Sequence, residues 1–304
     1  MTSMPTQLAG TLRRGWRTDP ALLVGGLAMP PVLLACLIGL AIDPAVITGA
    51  PAWLKPAKFA VSITLYNLTL LWVLGQVRGH RPAVRTIGTV VSASLAVEMA
   101  LIGMQVLRGT TSHFNVGTVY DTAVYAAMGV TIVAVFLATM VAAVLVLRQR
   151  TGDAALDTGL RLGLTGALLG MLAGIAMTAA NSSASSPAGA HTVGAPDGGP
   201  GLPIVGWSTV AGDYRVSHFV GLHALQALPL LVWALRRLTR LAAVQQHRLA
   251  LTAGAGWLGL TTLLGWQAAR GQSVVAPDLV TAVAFAVLTG ATTAGIRWSL
   301  RRTG

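Results

Sequence analysis

The chain has 304 residues, of which 54% are hydrophobic and only 10% are charged, and its formal net charge is +12. This composition is typical of an integral membrane protein and argues against a soluble enzyme. Cys36 is the only cysteine, which excludes an intrachain disulfide and a cysteine-based metal cluster.

Eight apolar segments are each long enough to cross a bilayer, which takes roughly 20 helical residues. They predict spans at 21–42, 57–77, 87–108, 120–147, 159–181, 215–236, 250–270 and 277–298. The fold class is therefore an all-α bundle of about eight transmembrane helices within residues 21–298. Residues 1–20 carry arginines as a signal peptide would, but no small-residue cleavage site follows, so the first span should be retained. Pro30 and Pro31 should bend that span or interrupt its hydrogen bonds.

The basic residues predict the orientation of the bundle. Sixteen of the 21 Lys and Arg residues precede the first span or follow an even-numbered one. The positive-inside rule makes that side cytoplasmic, including the termini at 1–20 and 299–304. The positive charge is then explained by topology in the plasma membrane, and no nucleic-acid partner is needed. The other five basic residues fall at the opposite, extracytoplasmic ends of spans: Lys55, Lys58, Arg108, Arg215 and Arg270.

Four polar stretches include these five residues, and we expect them to meet in one site at the extracytoplasmic end. They are WLKPAKF (53–59), QVLRGTTSHFNVGTVYD (105–121), DYRVSHFVGLHALQ (213–226) and the segment 267–278. Residues 181–213 are rich in Gly, Ser and Pro and predict a flexible outer loop or lid. His191 in this loop is expected to be solvated.

Glu98 is the strongest single signal, because it lies ten residues before Arg108 and so about 15 Å below that helix end. A carboxylate inside the membrane costs several kcal/mol unless it is protonated, paired or hydrated, and it marks a functional site by default. Gln105 shares its helix face, so the three side chains should form a polar stripe. Glu98 is a candidate general base; the alternative is a structural Glu98 bonded to a neighbouring helix.

Three histidines are candidate metal ligands: His113, His218 and His223. Asp121 and Asp213 are candidate ligands or orienting groups, and Asp121 could instead cap the fourth span. Three imidazoles and a carboxylate can complete a zinc site that keeps a water-bearing position. The five-residue spacing of His218 and His223 is poor for one metal in an unbroken helix, but they could converge if the helix began after His218.

The remaining candidates would bind an amphipathic or anionic substrate: Lys55, Lys58, Gln105, Arg108, Asn115, Arg215, Gln226, Gln267 and Arg270. For Lys55 and Lys58 the ordinary explanation is snorkelling at the membrane interface. The pattern Gln-x-x-Arg-Gly ends both the third and the seventh predicted span. It favours a weak repeat of two four-span halves.

At these motifs the chain resembles an uncharacterised family of prokaryotic multipass membrane proteins that share WLKPxKF, QxxRGxxSHFN, HFxGLHALQxLP and QxxRGQ. This resemblance implies no activity. The chain is more loosely similar to the superfamily of alkaline ceramidases and adiponectin receptors, whose zinc site uses a Ser/His pair, an Asp and a two-His motif. The corresponding residue types here are Ser112, His113, Asp121, His218 and His223. The spacing of the last two histidines and the eighth span depart from that superfamily's pattern.

Three functions are consistent with the sequence, of which the first is the leading prediction and the other two are alternatives. The first is a metal-dependent hydrolase, with zinc or another divalent ion, acting on a lipid or other amphipathic anionic substrate. The second is a redox protein, in which His223 with His113 or His218 ligates haem, or a quinone binds without haem. The third is a proton-coupled transporter that uses Glu98, although we expect little polar lining in the inner half of the bundle. The sequence leaves the oligomeric state open.

Overall fold

The computed structural model describes residues 4–180 and 188–301, so Arg302 and the first part of the predicted loop lie outside the described residues. Its helices are α1 (Met4–Thr18), α2 (Pro20–Ile42), α3 (Leu54–Leu74), α4 (Arg81–Leu107), α5 (Val119–Leu147), α6 (Ala154–Ala179), α7 (Tyr214–Leu238), α8 (Ala243–Ala269) and α9 (Leu279–Ser299). Two short antiparallel pairs join β1 (Val46–Ile47) to β2 (Ala50–Pro51) and β3 (Thr192–Val193) to β4 (Gly212–Asp213).

Helices α2 to α9 are long and apolar enough to cross a membrane, which confirms the predicted all-α bundle of about eight spans. Several bounds differ from the prediction by a few residues. The second span begins at Leu54 rather than at 57, because Pro56 lies in the first turn, where its missing N–H is not needed. Likewise Pro82 lies in the first turn of α4.

The segment before the first span contains a helix of its own. Residues 4–18 form the separate helix α1, which ends just before α2 begins. Asp19 then caps α2: its Oδ1 accepts the Leu22 N–H at 2.9 Å, and Pro20 occupies the first helical position. Helix α2 continues through Pro30 and Pro31 to its end, although neither proline can donate a backbone hydrogen bond. Helix α2 packs against α3 and α4. Neighbouring helices of this kind allow a membrane helix to tolerate proline.

The chain divides into two compact units, unit 1 (Met1–Gln149) and unit 2 (Arg150–Gly304). Each unit contains four spans that pack in the same order: the first three contact one another, and the fourth packs against the third. The boundary falls where the weak repeat predicts it. We therefore describe each unit by itself.

In unit 1 consecutive spans run in opposite directions, which defines two ends. The end of unit 1 at which α2 and α4 begin is called the Asp19 end. The end at which α3 and α5 begin is called the His113 end, because the α4–α5 loop lies there. Ser92 and Glu98 are both buried on α4, and Ser92 lies closer to the Asp19 end than Glu98 does.

Helices α6 and α7 of unit 2 approach each other through glycine. A Cβ atom added to Gly221 would lie 2.5 Å from the Gly170 Cα, so the two backbones are in direct contact there. Small residues allow such close approach between membrane helices. One consequence is that a side chain of α7, His218, reaches the backbone carbonyl of α6.

Residues 188–213 of the predicted outer loop are held by the β3–β4 pair and by side-chain hydrogen bonds, and their flexibility stays a prediction. Asp197 accepts the His191 backbone N–H at 3.0 Å and lies 2.5 Å from the His191 Nδ1. It also accepts hydrogen bonds from Thr192. Burial alone would raise the pKa of Asp197, but the hydrogen bond and charge of His191 outweigh it and hold that pKa below its ordinary value. His191 is therefore paired rather than simply solvated.

Candidate functional site

Three predicted site residues of unit 1 meet at its His113 end: Lys55, His113 and Glu98, here called the relay. The Lys55 Nζ lies 3.0 Å from the His113 Nδ1. The His113 Nε2 lies 3.3 Å from the Glu98 Oε1, an ion-pair contact that does not meet the geometry of a hydrogen bond. An ammonium group has no acceptor, so it donates to Nδ1 and leaves the proton of neutral His113 on Nε2, facing Glu98.

The relay runs from the surface into the interior of unit 1. The Lys55 side chain is partly buried at the start of α3, and the His113 side chain is 21% exposed. Glu98 is completely buried within α4. A partly exposed imidazole is therefore in contact with a carboxyl group that is buried inside a candidate membrane span.

The α4–α5 loop folds back to bring His113 onto Glu98. Gly109 has a φ of +67°, which lets the chain turn sharply where α4 ends. Phe114 has a φ of +59°, a left-handed conformation that costs a non-glycine residue of the order of 1–3 kcal/mol. Its ring packs against Tyr125 with centroids 5.6 Å apart, and Phe59 packs against His113 at 6.1 Å. These contacts fix the imidazole that follows Ser112.

The second oxygen of Glu98 faces a hydroxyl group. The Thr131 Oγ1 lies 3.1 Å from the Glu98 Oε2 and 2.8 Å from the Met128 carbonyl oxygen. The hydroxyl has only one proton, so it either donates to an ionised Glu98 or donates to Met128 and accepts from a protonated Glu98. The site therefore fits both protonation states of the carboxyl without moving a backbone atom.

The other predicted residues of the α4 stripe form a separate cluster around Asp121. Its Oδ1 accepts hydrogen bonds from the Gln105 Nε2 at 2.9 Å and from the Arg108 guanidinium at 2.5 Å. Its Oδ2 accepts one from the Thr118 hydroxyl at 2.7 Å, and Thr118 in turn caps α5 by accepting the Asp121 N–H. Asp121 is thus not the cap itself. The predicted stripe divides in two, because Glu98 contacts His113 and Thr131 while Gln105 and Arg108 pair with Asp121.

Two further predicted residues of unit 1 lie beside these clusters. Asn115 donates to the Thr110 hydroxyl at 3.1 Å and to the Thr111 carbonyl at 3.0 Å, so it holds the loop that carries His113. Lys58 lies about one turn after Lys55 on α3 and is partly buried.

In unit 2, Asp213 and Arg215 fasten the loop before α7. Asp213 is buried and caps α7 by accepting the Arg215 N–H at 2.9 Å. It also accepts from the Arg215 side chain at 2.6 Å and from the Ser208 N–H at 2.8 Å. Arg215 donates in addition to the Gly206 carbonyl at 2.6 Å. These contacts occupy both Asp213 oxygens with structural partners.

The two histidines of α7 do not converge. The helix begins before His218, so the alternative in which it begins after that residue is wrong. The His218 Nδ1 lies 2.8 Å from the Gly170 carbonyl on α6, to which it donates. The His223 ring instead packs edge-on against Phe219, with centroids 4.2 Å apart. An angular separation of about 140° between positions five residues apart accounts for this divergence.

The repeated Gln-x-x-Arg-Gly pattern builds the same helix end in both units. The Gln267 Nε2 donates to the carbonyl six residues ahead, that of Ser273, at 2.9 Å. The Gln105 Nε2 contacts the carbonyl six residues ahead of it at 3.5 Å. Arg270 pairs with Asp278 at the start of α9 at 2.6 Å, as Arg108 pairs with a carboxylate of α5.

The charges of this second closure stabilise each other outside the spans. The hydrogen bond from Arg270 holds the pKa of Asp278 well below its ordinary value. The same hydrogen bond raises the pKa of Arg270. Gly271, like its counterpart in unit 1, takes a left-handed conformation, with a φ of +73°. The motif is therefore a means of closing a helix end, and this structural role accounts for its recurrence.

The part of the chain that the structure describes contains no group of three or more His, Cys, Asp or Glu side chains that could hold a metal ion. Of the predicted ligands, His113 lies in unit 1 with one ring nitrogen facing Lys55 and the other facing Glu98. His218 and His223 lie in unit 2 with the separate contacts described above. Zinc binding stays a prediction.

Sequence reasoning missed several buried polar residues of unit 1. The Tyr66 hydroxyl lies 2.5 Å from the Thr139 Oγ1, and both residues are buried. Asn67, Ser92 and Asp19 are buried closer to the Asp19 end. The expectation of little polar lining in that half is therefore wrong for unit 1. The one available signal was the Asp-Pro pair before α2, which is a common helix start.

Comparisons of the chain with protein families, with curated proteins and with solved structures found no match. Its function is therefore argued from the geometry of the site alone.

Proposed function

We propose that the chain is a proton-coupled transporter of the plasma membrane, in which Glu98 takes up and releases the proton. The observation that supports this proposal is the relay, which connects a partly exposed imidazole to a fully buried carboxylate. Ionisable groups inside membrane spans commonly mark proton or substrate pathways. Among the three functions consistent with the sequence, this one uses the contacts that Glu98 makes.

Proton transfer along the relay follows from the two nitrogens of His113. When Lys55 moves off Nδ1, that nitrogen can accept a proton from water. The imidazolium then releases its Nε2 proton to the Glu98 Oε1, and the neutral ring returns to its first state by exchanging tautomers. The 3.3 Å contact must shorten and align for this step, and contacts of this kind often tighten only in the working complex. Thr131 reverses its hydrogen bond as Glu98 changes charge.

The positive-inside rule supports placing the His113 end on the extracytoplasmic side. Protons would then enter from outside the cell, and the cationic groups at this end would favour an anionic or amphipathic solute. Lys58 and Arg108 are the candidates for contacting it, since both lie near the mouth of the relay. The lipid bilayer is the remaining partner.

Infrared spectroscopy of the purified protein in lipid tests the proton site directly. We expect an acid carbonyl band that appears as the pH falls and that is lost in Glu98→Gln. Asp43→Asn is the matched control, because Asp43 is a carboxylate of the same unit outside the spans and should leave the band intact. If the carbonyl bands of Glu98→Gln and of wild type are the same at every pH, the proposal is refuted.

Vesicles that contain the protein and a trapped pH indicator test transport. A proton gradient is imposed, and anionic amphipathic solutes are added one at a time. We expect at least one solute to accelerate proton movement in wild type and in Asp43→Asn but not in Glu98→Gln. Solute-dependent flux that survives in Glu98→Gln would contradict the assignment of Glu98.

One observation favours a second candidate, a hydrolase. The Ser112 Oγ lies 3.1 Å from the His113 Nδ1, and the other ring nitrogen of His113 faces Glu98. This order of side chains is that of a serine, histidine and acid triad. However, Lys55 occupies the same nitrogen at 3.0 Å, and Ser112 is buried. Covalent labelling of Ser112 by a fluorophosphonate would favour this candidate.

The metal-dependent hydrolase and the haem or quinone protein stay predictions. Elemental analysis of the purified protein tests for zinc or another divalent ion. A visible absorption spectrum of the same sample tests for haem through its Soret band. Either group, lost on replacing His113 or His223, would displace the transporter proposal.

A further inference from the structure

A second group of buried polar side chains lies in unit 1, toward its Asp19 end. Asp19 is 1% exposed, Asn67 is completely buried and Ser92 is 8% exposed. Within the described residues, neither side-chain atom of Asn67 has a hydrogen-bond partner, and the same is true of the Asp19 Oδ2. These are three unsatisfied polar atoms in one region of a four-helix unit.

The glycines of neighbouring helices show how close these groups lie. A Cβ atom added to Gly25 would be 2.1 Å from the Ser92 Oγ and 3.2 Å from the Asn67 Nδ2. A Cβ atom added to Gly88 would be 2.1 Å from the Asp19 Oδ2. Gly88 and Ser92 are one turn apart on the same helix. Ser92 and Asn67 therefore lie beside each other against Gly25, and Asp19 packs against α4 one turn away from Ser92.

The helices account for this arrangement. Asp19 caps α2 through its Oδ1, which leaves its Oδ2 directed at α4. Ser92 on α4 donates to the Ala21 carbonyl at 2.8 Å, which ties α4 to the first turn of α2. Asn67 enters from α3.

A merely structural role does not explain these groups. Leaving a buried donor or acceptor unsatisfied costs about 1–3 kcal/mol for each group, and a leucine at position 67 would avoid this cost. Buried polar groups without protein partners usually bind water, which itself needs two to four polar partners. Asn67, Ser92 and Asp19 supply such partners.

We propose that Asp19, Ser92 and Asn67 form a second polar site, which binds water and takes up a proton. The inference rests on the proposed function of Glu98, because it gives the proton accepted there a place to leave unit 1. Ser92 precedes Glu98 by six residues on α4, about 9 Å along the helix axis. The buried pair of Tyr66 and Thr139 belongs to the adjoining helices of the same unit.

Charged groups lie near Asp19 on the neighbouring helices. Burial raises the pKa of Asp19, although backbone hydrogen bonds and the charge of Arg85 on α4 act against it. On α1, Arg17 accepts through its carbonyl a hydrogen bond from Arg81 at 3.3 Å. Among the described residues of α2 and α3, Lys55 and Lys58 are the charged side chains, and they lie at the opposite end of unit 1.

Asp19→Asn is a suitable variant because asparagine caps helices about as well as aspartate, so α2 should stay intact. In lipid, the infrared spectrum of wild type should show a second acid carbonyl band, distinct from that of Glu98. This band should be lost in Asp19→Asn and retained in Glu98→Gln. Asn67→Leu should shift this band, because it removes one of the polar groups proposed to hold the water beside Asp19. A spectrum unchanged by Asp19→Asn would overturn the inference.

Solute-dependent proton flux in vesicles separates this inference from the proposed function. Removing a proton-transfer group commonly costs 10²-fold or more, so we expect Asp19→Asn to lose at least about tenfold in rate. Asp19→Glu, which keeps a carboxyl, should recover part of it. If Asp19→Asn transports like wild type while Glu98→Gln is inactive, the second site is refuted and the proposed function stands. If Glu98→Gln is fully active, the proposed function fails.

Discussion

Replacing Gly221 by Ala should destabilise unit 2, because two helix backbones touch at this residue. The added Cβ would lie 2.5 Å from the Gly170 Cα, about 1 Å short of the 3.4 Å at which ordinary contact begins. The nearest atoms are backbone, so no side chain can rotate away. Overpacking of this kind costs typically about 1–3 kcal/mol.

Two smaller effects accompany the clash. Alanine gains about 1 kcal/mol over glycine in a helix interior. Separating α6 from α7 weakens the hydrogen bond from His218 to the Gly170 carbonyl, which contributes about 0.5–1.5 kcal/mol. The two nearly cancel, so we expect a net loss of about 1–3 kcal/mol in the free energy of unfolding.

Gly290→Ala is the matched control. Nothing lies within 4 Å of a Cβ atom at Gly290, which is also in a helix of unit 2, so only the helix-propensity gain applies. Denaturant titration of both variants in one detergent, followed by tryptophan fluorescence, measures the difference. Trp257 is a useful reporter, since its Nε1 donates to the Val220 carbonyl beside the clash at 2.8 Å. Equal midpoints for the two variants would show that α6 and α7 are not in backbone contact.

Two further predictions concern loops. Asp197→Asn should lower the free energy of unfolding at neutral pH. Because the pKa of Asp197 is lower in the folded protein than in the unfolded chain, the ionised carboxylate stabilises the fold fully above about pH 3.8, and this stabilisation is lost as the pH falls further. Melting temperatures of wild type and variant should therefore converge below about pH 3.8, and curves that stay parallel would contradict this. Gln267→Leu should lower the free energy of unfolding by about 1–3 kcal/mol, because it leaves the Ser273 carbonyl without its partner. The control Gln76→Leu, at a residue outside the spans, should lower it little. Denaturant midpoints of the two variants compare these effects.

The spans were predictable because hydropathy and positive charge act over whole segments. Their helical bounds were less predictable, since local chemistry sets them: Pro56 is accepted inside the first turn of α3, and Asp19 caps α2. Helix α1 was missed because it is too polar to register as a span. Its length is instead set by the cap that begins the next helix.

The candidate site was only partly predictable. Glu98 stood out because a carboxylate is rare in an apolar run, and the structure places it in contact with His113. Its partners depend on a loop that folds back through a left-handed Phe114, which no spacing along the chain reveals. Asn67 and Ser92 went unnoticed because single small polar residues are common in membrane helices. Only the burial of both, with unpaired amide atoms on Asn67, distinguishes them.

The division of the chain into two four-span units has a consequence for how such a protein can arise. A unit with an even number of spans begins and ends on the same side of the membrane, so a duplicated copy can be fused head to tail without changing its orientation. Equivalent helix ends of two such units would then lie on the same side of the membrane. The same closure motif can therefore serve both units, as at Gln105 and Gln267. In this chain the spans of unit 2 contain no glutamate, whereas unit 1 contains Glu98.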